Sequence, residues 1–339
     1  MKYTNLGKTG VKVSELCLGT MIYGEDNYVD EANAIKIIRR AIDLGVNFID
    51  TADVYTQGRS EEIVGKAIKG QRDAIVLATK VRGRTGPGPN DMGLSRKHIL
   101  QNIEASLRRL GTDYIDLYQV HNVDPTTPLE ETLTTLNDLV RDGTVRYVGC
   151  SNFPAWLLEK ALWISDVNGL EPFVTAQCLY NIIDRDVEHE LLPLCTEEDI
   201  GIITYSPLAR GFLTGKYQSD KPAPKGSRGQ FRPQFIDGYF TPRGQTIVDE
   251  LTKLSAKTKM SMCQLSLAWL MANPVVTSPI VGISKLEHLE ENVEAVDYTL
   301  PDDVRRQISD VSKPDWLRKR EEHVARVRGW QRKREERVD

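Results

Sequence analysis

Between Asn47 and Ile68 the chain reads NFIDTADVYTQGRSEEIVGKAI. An apolar run of strand type ends on Asp50 and is followed by Asp53 and Tyr55, just before a helical pattern begins. Two further strand-like runs finish on reactive side chains, AIVLATK on Lys80 and YIDLYQVH on His121. Gathered at one opening, Asp50, Tyr55, Lys80 and His121 would suit carbonyl chemistry. A phenol of ordinary pKa, about 10, holds its proton at neutral pH, and a nearby ammonium makes that proton easier to release to a developing alkoxide. A buried lysine keeps its charge only beside a counter-ion, which Asp50 supplies. His121 can donate a hydrogen bond to the same oxygen and orient it. The set has no nucleophile with an activating base and no acids obviously paired for glycoside hydrolysis. Its expected task is to polarise and protonate a carbonyl while another group delivers hydride.

Such convergence needs strands whose ends share one rim. Strand-like runs occur at VSELCLGT, NFIDTA, AIVLATK, YIDLYQVH, VRYVGCSN, FVTAQCLYN, GIITYSPL and SPIVGIS, eight in all. Helical patterns separate them, with Ser60 and Ser95 read as starts, Gly111 as a stop, and Thr127-Pro128-Leu129-Glu130 as a cap followed by proline and a capping-box glutamate. Alternating strands and helices imply right-handed βαβ units. Eight such units, hydrophobic on both strand faces, predict an α/β fold of the (β/α)8 TIM barrel type, with the reactive residues at the C-terminal strand ends. YTNLGKTGVKVS, turning at Gly7 to Gly10, predicts a β-hairpin ahead of the barrel. The 30 residues KYQSDKPAPKGSRGQFRPQFIDGYFTPRGQ form a loop of functional length. The boundaries expected are a barrel over 1–312 and a charged helical tail over 313–339, the latter carrying Trp316 and Trp330 and read as a solvated helix or a partner contact.

At 339 residues with 40% hydrophobic content the chain can bury a large core. A formal net charge of −4 supplies no global field for nucleic acid or an anionic membrane. No apolar leader or bilayer-length stretch is seen, so a cytoplasmic protein without a membrane is expected. The five cysteines lack metal-site spacing and read as buried free thiols, with no metal expected. His98 and His189 read as surface residues, and Asp53 as a loop hydrogen-bonder rather than a second acid. A homo-oligomer stays open.

FIDTADVY, LATK, YIDLYQVH, VGCSNF and YSPLARG, in this order and on these strand ends, resemble the aldo-keto reductases. The resemblance covers roughly residues 1–312 and is carried by the ordered set, since any one motif is weak. It implies a catalytic tetrad of Asp50, Tyr55, Lys80 and His121, with Tyr55 as proton donor, and NADP(H) as cofactor. No GxGxxG follows a strand, and GPGPN at Gly86–Asn90 is not a nucleotide fingerprint.

The resemblance places Ser151, Asn152 and Gln177 on the nicotinamide carboxamide and Tyr205 on the ring face. Ser206, Pro207, Leu208, Ala209, Arg210, Gly211 and Lys216 fall on the stretch around the pyrophosphate. Gly19, Thr20 and Met21, at the first barrel strand's end, join the cofactor set with Asp50. Ser284 and Lys285 stand at a helix start that attracts phosphate, with Gly282, His288, Glu291 and Asn292 around the ribose phosphate and adenine. Where well-known carbonyl reducers carry Lys-Ser and an arginine, this chain has Gly282-Ile283 and His288. That form resembles the branch of bacterial oxidoreductases and potassium-channel β subunits. Tyr23, Tyr55 and His121 are expected to meet substrate, a small carbonyl or alcohol, with Tyr28 and Trp156 as further pocket walls. The alternative reading is an NADP-binding, redox-sensing module docked on a partner; a phosphate-substrate barrel without nicotinamide is a third.

Overall fold

The computed structural model describes residues 1–24, 28–320, 322–324 and 326. Strands β1 (Tyr3–Asn5) and β2 (Lys12–Ser14) pair antiparallel, Thr4 against Val13. There follow β3 (Cys17–Gly19), β4 (Phe48–Asp50), β5 (Val76–Val81), β6 (Ile115–Val120), β7 (Val145–Ser151), β8 (Thr175–Leu179), β9 (Gly201–Tyr205) and β10 (Val276–Gly282). These eight are parallel and close into a barrel in the order β10-β3-β4-β5-β6-β7-β8-β9. The (β/α)8 barrel with its leading hairpin is thus the observed fold. VSELCLGT, read as one run, is divided between β2 and β3.

Two apolar layers hold it together. Ile38, Ile63, Ile99, Leu136 and Leu158 belong to the layer between helices and strands, where the helical 3.6-residue period meets the outward strand faces. Inside the barrel, Phe48, Val76, Ala78, Leu117 and Ile203 form a second cluster, joined by Leu6 and Val13 of the hairpin. The hairpin therefore plugs the N-terminal mouth, leaving the opposite rim for chemistry. Its turn touches the barrel floor: Gly7 has φ +56°, and a Cβ there would lie 2.2 Å from the Val174 carbonyl oxygen. Gly7→Ala is expected to cost about 1–3 kcal/mol from the left-handed backbone alone, with the clash added to it, read as a lower urea midpoint at unchanged m-value.

Helix punctuation agrees in part. Ser95 caps Arg96–Leu110, accepting from the His98 amide at 3.4 Å, and Gly111 ends that helix at φ +64°. Ser60 lies inside Arg59–Ile68, whose N-cap is Gly58, and its hydroxyl donates instead to the Thr20 carbonyl at 2.9 Å. Thr127 does not cap Leu129–Arg141: its hydroxyl donates to Asp124 at 2.7 Å, Pro128 takes the cap position, and no capping box closes. His98 is buried, not superficial, with Nδ1 3.0 Å from the Asn90 carbonyl and Asn102 alongside. His189 is half exposed and meets the Trp316 ring edge-on at 4.8 Å. Of the tail, residues 315–320 are helical, whereas Trp330 lies outside the described residues. Cys17, Cys150, Cys178 and Cys195 are buried free thiols, and Cys263 is half-buried. Among the described residues no helix is long and apolar enough to cross a membrane.

Candidate active site

Strand parity builds the site. Alternate residues share a face, so the parity that packs Phe48 into the barrel delivers Asp50 two residues later. Val76 and Ala78 lead in the same way to Lys80, Leu117 to Gln119, and Ile203 to Tyr205. A polar layer therefore caps the apolar one at the C-terminal rim.

Lys80, fully buried, donates to Asp50 Oδ1 at 2.5 Å, to the Thr51 carbonyl at 2.8 Å and to Tyr55 OH at 3.2 Å. The other Asp50 oxygen accepts from Gln119 at 3.1 Å and Gln177 at 2.9 Å. Burial works against the Lys80 charge, but Asp50 and Tyr55 outweigh it and push the pKa up to about 12. The ammonium is thus a permanent cation. Burial raises the Tyr55 phenol above its ordinary pKa, with Lys80 lowering it in part and Asp50 adding to the rise. Lys80 does ease proton release, as expected from the sequence, but desolvation of a phenolate outweighs that one cation and the net direction is upward. Tyr55 consequently holds its proton throughout the neutral range.

His121 stands edge-on to Tyr55, ring centroids 5.7 Å apart. Burial first, then Lys80 and Arg82, lower its pKa to about 3, so the ring is neutral at working pH. The turn carrying Tyr55 runs through left-handed Thr56 and Gln57, φ +46° and +58°, and Thr56 ties it to the Tyr23 carbonyl at 2.8 Å. Tyr23 itself is fully buried and absent from the cavity wall, so it supports this turn from behind and is not a pocket wall. Trp156 is 66% exposed and also off the wall, because its helix presents it outward.

A cavity of about 570 Å³ opens over Asp50, Tyr55 and His121. Gly19, Thr20 and Met21 border it, as do Ser151, Asn152 and Gln177 across the rim. Tyr205 donates to Asn152 Oδ1 at 2.9 Å, while Asn152 Nδ2 donates to the His121 carbonyl at 3.0 Å, so one asparagine fixes two walls. Ser206, Pro207, Leu208, Arg210, Gly211 and Lys216 line the next stretch, and Gly282, Ser284, His288, Glu291 and Asn292 the far end. Ala209 and Lys285 do not. Ala209 turns its methyl into the core at 0% exposure, and Lys285 is the N-cap of Leu286–Glu294 with its side chain outside the cavity.

The 30-residue loop contributes Arg228 and Phe235, and Tyr28 lines the cavity as expected, packed on Phe231 at 5.2 Å. Arg210 stacks over Phe235 at 4.5 Å. Burial and the neighbouring Arg210 and Arg232 hold Arg228 below its ordinary pKa, Tyr28 and Tyr217 partly opposing them. Sequence reading missed these two, and also Gln119, Thr214, Cys263 and Val281. Parity could have found Gln119, two residues before His121; nothing local marks the loop residues.

An elongated anionic ligand fits this wall. Arg210, Lys216 and Arg228 set cations along its middle. Consecutive left-handed residues Ala209, Arg210 and Gly211 curve the backbone around it, and a Cβ at Gly211 would press on Lys216 Cε at 2.8 Å. At the far end Asn292 Oδ1 is buried without a hydrogen-bond partner among the described residues, ready for an amino donor.

A parallel barrel with a phenol, an ammonium and a neutral imidazole at its C-terminal rim defines the class of barrel oxidoreductases working between carbonyl and alcohol. The chain belongs to the aldo/keto reductase family, whose profile matches residues 15–313. It is 38% identical over 322 residues to the uncharacterized oxidoreductase YrpG of Bacillus subtilis, covering 92% of this chain and 96% of that one. A probable voltage-gated potassium channel subunit beta of Arabidopsis thaliana is 40% identical over 309 residues, 88% of this chain and 92% of that protein. Versiconal hemiacetal acetate reductase of Aspergillus parasiticus is 35% identical over 337 residues, 90% and 95% of the two chains.

Proposed function

We propose that this chain is an NADP(H)-dependent oxidoreductase interconverting a small aldehyde, ketone or sugar-derived carbonyl and its alcohol, with Tyr55 as general acid and base. The observation carrying the reading is the Asp50–Lys80–Tyr55 chain, 2.5 Å and then 3.2 Å, on the cavity floor. Lys80 stabilises the phenolate left when Tyr55 gives its proton to the carbonyl oxygen, and neutral His121 donates a hydrogen bond to that oxygen. A bound NADP(H) would supply the hydride; Ser151, Asn152 and Gln177 would hold its carboxamide, Tyr205 its ring, Arg210, Lys216 and Arg228 its phosphates, and Ser284, His288, Glu291 and Asn292 its adenosine end. Residues 1–312 act as the catalytic barrel and 313–339 as a separate charged tail in a cytoplasmic protein.

The test is NADPH oxidation against a panel of aldehydes, with NADH in parallel. Turnover with NADPH favoured is expected, and kcat/KM flat between pH 5 and 7, because the His121 proton comes off near pH 3, well below that window. A limb near pH 6.5 would show that the imidazole titrates and end that part of the reading. A second reading, an NADP-holding redox module docked on a partner, draws on the relative named as a potassium channel subunit. Binding of NADPH with no turnover on any carbonyl would favour it.

A further inference from the structure

Behind the catalytic group lies a second set of titratable side chains that the proposed reaction does not use. Thr79 and Tyr118 have outward parity on β5 and β6, next to the inward Lys80 and Gln119. They meet Glu61 of Arg59–Ile68 and Arg109 of Arg96–Leu110. Glu61, 0% exposed, accepts from Thr79 at 2.6 Å and from Arg109 Nε at 2.6 Å, so both its oxygens are engaged. Asp53 completes the set. It is 2% exposed, and its backbone amide donates to the Lys80 carbonyl at 3.3 Å.

Neither Asp53 oxygen has a hydrogen bond of good geometry among the described residues, the Val54 amide offering a partial one. The Tyr118 hydroxyl is likewise buried and unpaired. Two carboxyls thus share one guanidinium, which Glu61 already holds. An ionised Asp53 would be a buried anion without a partner, the costliest arrangement available to it. The loop has little room to relax: Gly83 packs so tightly on Val54 that a Cβ there would lie 2.2 Å from Val54 Cγ1.

We propose that Asp53 is a positioning residue for the Lys80–Tyr55 pair: its amide ties the Tyr55 turn to the Lys80 carbonyl, and its buried, unpartnered carboxyl fills the space beneath that turn. The groups facing it are Glu61, Arg109, Lys80, Tyr118 and, across the turn, Tyr55. Burial first, then Glu61, raises its pKa to about 8, while Arg109, Val54 and Lys80 pull the other way. Losing the proton places a bare anion under the turn and makes Tyr55 a weaker acid, since the Asp53 charge raises the phenol further. Alkaline pH therefore weakens reduction before Tyr55 itself titrates.

The activity arm rests on the function proposed above; the stability arm does not. In an unfolded chain the carboxyl ionises near pH 4, whereas the folded one holds its proton to about 8. Between these values the native state binds the extra proton, so this group subtracts stability as pH rises across that window and no more beyond it. Asp53→Asn keeps the shape and removes the titration. The Tm advantage of Asp53→Asn over wild type is expected to grow from pH 5 to pH 8 and then hold. Wild-type kcat/KM for carbonyl reduction should fall about tenfold by pH 9, one unit past the midpoint, while the variant stays level.

A Tm difference constant from pH 5 to 9, or the same alkaline limb in both proteins, overturns the proposal. Failure to reduce any carbonyl counts against the function alone, and the Tm series still decides the Asp53 proton. Should Asp53→Asn not fold, Glu61→Gln frees Arg109 to face Asp53 and is expected to move the alkaline limb to lower pH; an unmoved limb overturns the proposal equally.

Discussion

Tyr55→Phe is expected to lower kcat by on the order of 10²–10⁴-fold while leaving NADPH binding intact. The substitution removes one oxygen and little else, because the ring still packs edge-on against His121. Lys80 keeps its bonds to Asp50 and the Thr51 carbonyl, so the ammonium stays paired. What disappears is the hydroxyl 3.2 Å from that ammonium, the proposed proton source. The loss corresponds to about 3–5 kcal/mol of transition-state stabilisation. Stopped-flow turnover with fluorescence titration of NADPH separates the two effects, and retention of turnover within a few-fold would refute the assignment of Tyr55 as acid.

Lys80→Met should be costly to the fold as well as to the chemistry. Asp50 is 2% exposed, and without the ammonium its carboxylate keeps, among the described residues, only the Gln119 and Gln177 amides. Breaking a buried pair from one side typically costs about 3–5 kcal/mol, because the remaining charge is stranded rather than because the pair is worth that much. Adding Asp50→Asn to Lys80→Met should therefore restore much of the lost stability but none of the activity. Chemical denaturation of the two singles and the double closes the cycle. Equal and additive losses would mean that the two side chains do not depend on each other.

Much of this molecule can be read along its sequence, for physical reasons that differ by region. The barrel strands announce themselves because residues buried on both faces leave short apolar runs between helical periods. Asp50, Lys80 and His121 stand out because each is a polar break at the end of such a run. Gln119 was overlooked because an amide inside an apolar strand looks like noise until parity is applied from His121. Ser60 and Thr127 have the chemistry of caps, but stronger local partners, the Thr20 carbonyl and the Asp124 carboxylate, claimed their hydroxyls. Tertiary burial of His98 by Asn90 and Asn102, and of Tyr23 behind the Tyr55 turn, leaves no trace in periodicity. Arg228 and Phe235 come from a loop whose path over the rim is set by contacts such as Tyr28 with Phe231. The net rise of the Tyr55 pKa leaves no mark in the sequence, which displays the neighbouring charge but not the depth of burial.

The barrel seam has a consequence for synthesis. β10 must find β3, and Ser278 Oγ donates to the Ser14 carbonyl across 264 positions of chain. Until the ribosome has released the last strand, the growing sheet carries raw edges at β3 and β9, a template for wrong partners. Closure therefore waits until Val276–Gly282 has emerged, and a chain cut before Val276 keeps an open sheet with two unpaired edges.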